Sequence, residues 1–170
     1  KIKELNMDPH VEDNKKVLKE NGKSFHWAGK LLSKESINRA AGLYSFCRTL
    51  DDIADSGEIN SLKELSKIRS NIKKKQFTDL KNIYSVRYPK FLKSSSEKVV
   101  IDLIDGLILD QKAILFKKEE ELIRYSYLVA GTVGIMMCDA IKCENTNAKS
   151  FAIDLGIAMQ LTNIARDVLE

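Results

Sequence analysis

Proline and glycine are scarce here, with 2 Pro and 8 Gly in 170 residues. That sets aside collagen-like, low-complexity and turn-rich β architectures. Histidine is almost absent too, and neither His10 nor His26 stands in a Glu-x-x-His pair, so a di-iron helical bundle fails. His26 is the one candidate general base, with a half-exposed ring beside Trp27 as the competing account. The charge-free run between Arg124 and Asp139 has 14 residues, fewer than the roughly 20 that span a bilayer. It reads as a buried core helix instead. Three cysteines (Cys47, Cys138, Cys143) show no CxxC or Cys/His spacing. Their odd number, with no secretory signal, points to free thiols in a reducing, cytoplasmic setting. Cys47 reads as a small core residue rather than a nucleophile. No nucleic-acid-binding motif accompanies the basic stretch 61–98, whose charges are scattered along amphipathic helices. A solvated face is the default there, and peripheral contact with anionic lipid the alternative.

What is present is mostly helix-forming. The chain is 44% hydrophobic and 31% charged with a modest net charge of +4, which suits one all-α domain with a real core. No repeat or linker marks a second domain within 1–170. A short polar helix is expected over Lys1–Asn21, broken by Gly22-Lys23-Ser24-Phe25-His26-Trp27. Ser24 is a candidate cap there, and Phe25 with Trp27 would plug one end of the bundle. Ser33-Lys34-Glu35-Ser36 opens a long helix towards Asp55. Ser61-Leu62-Lys63-Glu64 has the capping-box pattern and starts a helix ending near Lys73-Lys74-Lys75. Pro89 interrupts a further stretch, and Ser94-Ser95-Ser96-Glu97 starts an aliphatic helix containing Asp102, Asp105 and Asp110. Either Asp105 or Asp110 could support a site from behind, and either could equally be surface. From about Glu119 a helix carries Tyr125 to Met137; Gly131 and Gly134 in it suggest backbone close to a neighbour or a ligand.

Two acidic stretches stand out. In Arg48-Thr49-Leu50-Asp51-Asp52-Ile53-Ala54-Asp55, Asp51 and Asp55 stack one turn apart, a repulsive arrangement unless a cation or hydrogen-bond network lies between them. Oxygen ligands alone, without Cys or His, suit Mg2+ shared with a substrate phosphate. Arg48 adds a planar fork for that phosphate, and Tyr44 shares the stripe as a lining or structural residue. A solvated acidic face is the plain alternative. At the other end, Gln160, Asn163 and Asp167 form one helical stripe amid Leu155, Ile157, Ala158, Met159, Leu161, Ile164, Ala165 and Val168. A helix so apolar is expected to be largely buried, so its amide, guanidinium and carboxylate groups need partners. Divalent cations and a diphosphate between the two stretches would satisfy both.

Tyr44-Ser45-Phe46-Cys47-Arg48-Thr49-Leu50-Asp51-Asp52-Ile53-Ala54-Asp55, Tyr125 to Gly134 and Leu155 to Glu170 together resemble the squalene/phytoene synthases, with Ser24-Phe25 ahead of the first motif also fitting. The run Val129 to Met137 is more similar to the phytoene synthase branch. The resemblance implies a single-domain, isoprenoid-synthase-type helical bundle with a central cavity. It implies head-to-head condensation of two geranylgeranyl diphosphates through a cyclopropyl diphosphate to phytoene, without NADPH. Squalene or dehydrosqualene synthesis from farnesyl diphosphate is the alternative. Asp51, Asp55, Asn163 and Asp167 would hold Mg2+, or Mn2+. Arg48 and Arg166 would bind diphosphate, Gln160 and Asn163 orient the second site, and Tyr44 and Tyr125 face diphosphate or cation. Ser24, Phe25, Val129, Val133 and Gly134 would contact substrate. No nucleic-acid partner is implied, and the oligomeric state stays open. Terpene cyclases and chain-elongating prenyl synthases fit the last motif less well. A non-catalytic assembly factor should have lost the metal ligands that are present here.

Two departures from the family pattern shape a further expectation. The second acidic motif of the family continues with another Asp directly after Glu170, and helices beyond it complete the cavity. The sequence therefore reads as an N-terminal fragment, expected to be poorly active and aggregation-prone as it stands.

Overall fold

In the computed structural model, which describes residues 10–56, 60–93, 96–111 and 115–168, α1 (Val11–Asn21) and α2 (Lys23–Gly29) precede the long α3 (Lys34–Asp55). Ser33 caps α3 as its sequence suggests, its side chain accepting from the Ser36 N–H. Leu43, Phe46, Leu50 and Ala54 recur at helical spacing along α3 and are buried, so this helix is the spine of the core. Around it lie α4 (Ser61–Lys73), α5 (Phe77–Tyr84) and α6 (Glu97–Asp110), which contribute Leu65, Ile68, Ile72, Leu80, Val100, Leu103, Ile104 and Leu107. The charge-free stretch runs from the end of α7 (Glu119–Ser126) through a π-helical turn (Tyr127–Gly131) into α8 (Thr132–Ala140), effectively one interrupted helix. Finally α9 (Ala148–Asp167) folds back on it. The described residues contain helices and connecting turns but no strand, and none of the described helices is long and apolar enough to cross a membrane.

Glycine decides how α9 docks. A Cβ on Gly134 would stand 2.2 Å from the Ala152 carbonyl oxygen, and one on Gly156 2.5 Å from the Ala130 carbonyl oxygen. Numbers rise on α9 as they fall on its partner, so the pair is an antiparallel hairpin joined backbone to backbone. The glycines of the apolar motif thus meet a neighbouring helix.

Several local expectations are corrected. Trp27 is 67% exposed and Phe25 also faces solvent, so they plug nothing; Ser24 lies inside α2 and caps nothing. Asn60, not Ser61, is the residue before α4, and the Ser61 hydroxyl instead donates to Gln111 Oε1 at 3.0 Å. Ser96 precedes α6, but its hydroxyl donates to the buried carboxylate of Asp139 and accepts from no N–H of the helix; Ser94 and Ser95 lie outside the described residues. Residues 1–9 of the first expected helix lie outside them as well.

The largest correction concerns α9, which has no buried residue among those described. One side packs on α8 and the π turn, while Phe151, Leu155 and Met159, spaced one turn apart, are exposed, Phe151 at 74%. A largely apolar composition predicted burial, but burial needs a layer on both faces of a helix, and the described elements cover only one.

Candidate active site

The acids of the first motif sit at the C-terminal end of α3, where a helix already concentrates partial negative charge. Arg48 pairs with Asp52 at 2.8 Å, one turn on, so the middle acid of the three engages the guanidinium. Asp51 points inward. Its carboxyl is pushed up to about 6: burial is the main cause, and the charges of Asp55, Asp52 and Asp110 add to it against the opposing pull of Arg48. The Tyr44 hydroxyl is also pushed up, by burial first and then by Asp51 and Asp52. Phe25 tilts against the Tyr44 ring at 6.1 Å, which brings α2 to the same stripe of α3. Burial likewise pushes up the Cys47 thiol, with Asp51 adding to it, so no nucleophilic thiolate forms there.

The opposite wall comes from α6 and α7. Tyr125 is buried, and its hydroxyl donates to Asp110 Oδ1 at 2.8 Å. Beside it, Gln111 donates from Nε2 to the Ala54 carbonyl at 2.9 Å and accepts from Ser61. The end of α6 therefore ties together the end of α3, the start of α4 and the end of α7. Asp105, by contrast, pairs with Arg69 at 2.6 Å and clamps α6 to α4. Of the two acids left open by the sequence, Asp110 belongs with the site and Asp105 with the scaffold. Replacing Gln111 by Ala should cost about 1–3 kcal/mol by leaving the Ala54 carbonyl unpartnered, read as a lower denaturation midpoint with unchanged slope.

Gly156, Gln160, Asn163 and Asp167 share one stripe of α9, and Gly156 rests on the π turn. The antiparallel docking carries the rest of that stripe back alongside α7. An open concavity of about 240 Å³ on the exposed face of α9 is lined by Ala158, Met159, Thr162 and Asn163. Asp167 is exposed and accepts from Arg166 at 2.8 Å. Among the described residues no group of three or more His, Cys, Asp or Glu converges on a single metal position. Val129 packs its Cγ1 towards Gly106 of α6, Val133 lies against the core, and Gly134 is filled by α9. The structure thus groups Tyr44, Arg48, Asp51 and Asp55 with Asp110 and Tyr125, and sets Gln160, Asn163, Arg166 and Asp167 on a neighbouring helix. Asp52 and Gln111 were missed by sequence reasoning. Asp52 stands one turn after Arg48, a spacing that signals an ion pair; nothing local marks Gln111, whose partners are 50 and 57 residues away.

Comparison with known proteins gives a consistent picture. The squalene/phytoene synthase family profile matches residues 18–170. The chain is similar to the phytoene synthase of Pseudescherichia vulneris, at 25% identity over 98% of this chain and 58% of that protein. It is similar also to the phytoene synthase of Rhodobacter capsulatus, at 29% identity over 94% of this chain and 49% of the relative. The crystal structure of a dehydrosqualene synthase in complex with ligand superposes with a TM-score of 0.74 at 26% identity, covering 94% of this chain and 59% of that one. The chain spans about half the length of the curated relatives it matches.

Proposed function

Because the chain belongs to the squalene/phytoene synthase family, we propose that the polypeptide carrying it joins two allylic prenyl diphosphates head to head, with geranylgeranyl diphosphate as substrate and phytoene as product. The observation that carries this reading is the half-buried Asp51 carboxyl, within electrostatic reach of the exposed Asp55 and Asp110 and beside Arg48 and Tyr125. Asp51 and Asp55 offer hard oxygen donors on one helical stripe, and Asp51 sits where burial and like charge disfavour its ionised form. A divalent cation relieves that arrangement, so these residues fit Mg2+, with Mn2+ as the alternative. Bound there, the ion supplies Lewis-acid stabilisation of the departing diphosphate. Asn163 and Asp167 on α9 are assigned to the second half of the same site.

The chain's own residues then divide the work. Arg48 lies one turn from Asp51 and binds diphosphate oxygens when it leaves Asp52. Arg166 and Gln160 orient the second diphosphate. Tyr44 and Tyr125 face the allylic carbons, Ser24 and Phe25 contact substrate from the α2 side, and Val129 and Val133 wall the prenyl tails and keep water from the carbocation. Gly134 acts in the wall itself, as the contact between α8 and α9. The basic stretch 61–98 supports peripheral contact with anionic lipid as part of the same reading, apt for an oily product.

A second reading, farnesyl diphosphate in place of geranylgeranyl diphosphate, is favoured by the dehydrosqualene synthase superposition. Incubating the full polypeptide with Mg2+ and each labelled diphosphate, with and without NADPH, decides between them. The expected result is phytoene without NADPH. Squalene formed only with NADPH, or dehydrosqualene from farnesyl diphosphate, shifts the assignment to the shorter substrate. No hydrocarbon from either substrate defeats the enzymatic reading.

A further inference from the structure

Tyr125 is held at both ends. Its hydroxyl donates to Asp110 Oδ1 at 2.8 Å, and its ring leans on Phe116 with centroids 5.3 Å apart. Asp110 is the last residue of α6, and the next residue, Gln111, is anchored to the Ala54 carbonyl of α3 and to Ser61 of α4. The acid that receives the phenol hydrogen bond is therefore itself fixed relative to the helix that carries Asp51 and Asp55. A phenol has one proton to donate. Once that proton is given to Asp110, Tyr125 has none left for a diphosphate oxygen. It presents oxygen lone pairs and a ring face instead, and hydrogen bonding to a carboxylate enriches both in electron density.

We propose that Asp110 is a positioning residue for the condensation: by taking the Tyr125 hydrogen bond, it commits the tyrosine to contact with the developing allylic cation rather than with diphosphate. The inference rests on the head-to-head prenyl transfer reading for the cation it serves, but the Asp110–Tyr125 pair stands on the geometry alone. Electron-rich aromatic faces attract cations most strongly when both are desolvated, and Tyr125 is buried. Burial and the Asp110 hydrogen bond together push the Tyr125 hydroxyl well above the ordinary tyrosine range, as expected of a phenol whose proton is held by a carboxylate.

The test compares Asp110→Asn, Tyr125→Phe and the double variant in the full polypeptide, by steady-state kinetics with geranylgeranyl and farnesyl diphosphates and by ultraviolet titration of tyrosine. Asp110→Asn should lower kcat by about 10- to 100-fold with KM little changed, the scale of a misplaced catalytic contact. The double variant should be no slower than Tyr125→Phe alone, because Asp110 acts through the phenol. In the titration, the tyrosine signal that Tyr125→Phe removes should move to lower pH in Asp110→Asn. Asp110→Glu, which keeps a carboxylate acceptor, should recover part of both effects. Losses that multiply in the double variant, or a Tyr125 titration unmoved by Asp110→Asn, overturn the proposal. Should the parent form no prenyl product at all, the reaction assigned above fails, and the titration alone decides whether Asp110 holds Tyr125.

Discussion

Asp51→Asn should melt above the parent protein at pH 7.5 in the absence of divalent cations, and should make almost no product. The two effects share one cause. Burial and three neighbouring carboxylates hold the Asp51 carboxyl at about 6, against its ordinary value of 3.8. A carboxylic acid with a raised folded pKa binds more protons folded than unfolded between those two values, so stability falls as pH rises through that window. The penalty is complete above the folded pKa and disappears below the unfolded one. Asparagine carries no such penalty. Its advantage should be about 1–2 kcal/mol at pH 7.5, after allowing for the solvent that still reaches the site, and should fade as the pH approaches about 4. Thermal melts across that range measure it.

Mg2+ should reverse the order. A ligand that binds only the folded state stabilises it by about 2.7 kcal/mol at a hundred times its dissociation constant. The parent gains this and Asp51→Asn does not, while turnover falls by roughly 10²–10³-fold, the usual scale for losing an electrostatic contact to the leaving group. Asp167→Asn, on an exposed side chain paired with Arg166, should lose turnover without the gain in melting temperature. An Asp51→Asn protein that melts below its parent at pH 7.5, with the order unchanged by Mg2+, would assign Asp51 to the scaffold.

The contrast between those two aspartates also marks how far the sequence could be read. Most helix positions and the Ser33 cap were legible because each depends on residues within a turn or two of one another, although the break expected at 22–27 is itself helical in α2. So was the grouping of Tyr44, Arg48, Asp51 and Asp55, which a single helix enforces. The partners of Asp51 across the cleft were not. Asp110 and Asp105 look alike in the sequence, and only the packing of α6 against α4 and α7 sends one to Arg69 and the other to Tyr125. Serines misled for the same reason: Ser61 and Ser96 match capping patterns, yet tertiary partners, Gln111 and Asp139, take their hydroxyls. The burial of α9 failed differently. Composition reports what a helix can bury, whereas the solvent exposure of Phe151 and Leu155 depends on which elements lie against that face.

Gly134→Ala should be the most damaging single-methyl change in the described helices. Alanine is favoured over glycine inside a helix by about 1 kcal/mol, so propensity alone predicts a gain. Contact geometry opposes it. The added carbon would lie 2.2 Å from the Ala152 carbonyl oxygen and 2.8 Å from the carbonyl carbon, both backbone atoms with no rotamer to adopt. Relief requires α9 to move away from α8, and that would also pull apart the close packing at the π turn, where a Cβ on Gly156 would stand 2.5 Å from the Ala130 carbonyl oxygen. Overpacking of this kind costs about 1–3 kcal/mol, and here the displaced element is the helix carrying Gln160, Asn163 and Asp167. A fall in melting temperature should therefore accompany faster amide exchange along α9 while α3 and α4 stay protected. Gly42→Ala supplies the control: on α3 the new carbon would meet Asn14 and Phe91 at ordinary contact distances of 3.6 and 3.9 Å, so that change should stabilise by about 0.5–1 kcal/mol. If Gly134→Ala melts as high as Gly42→Ala, the two helices are not locked backbone to backbone, and the docking that sets the second motif beside α7 must be wrong.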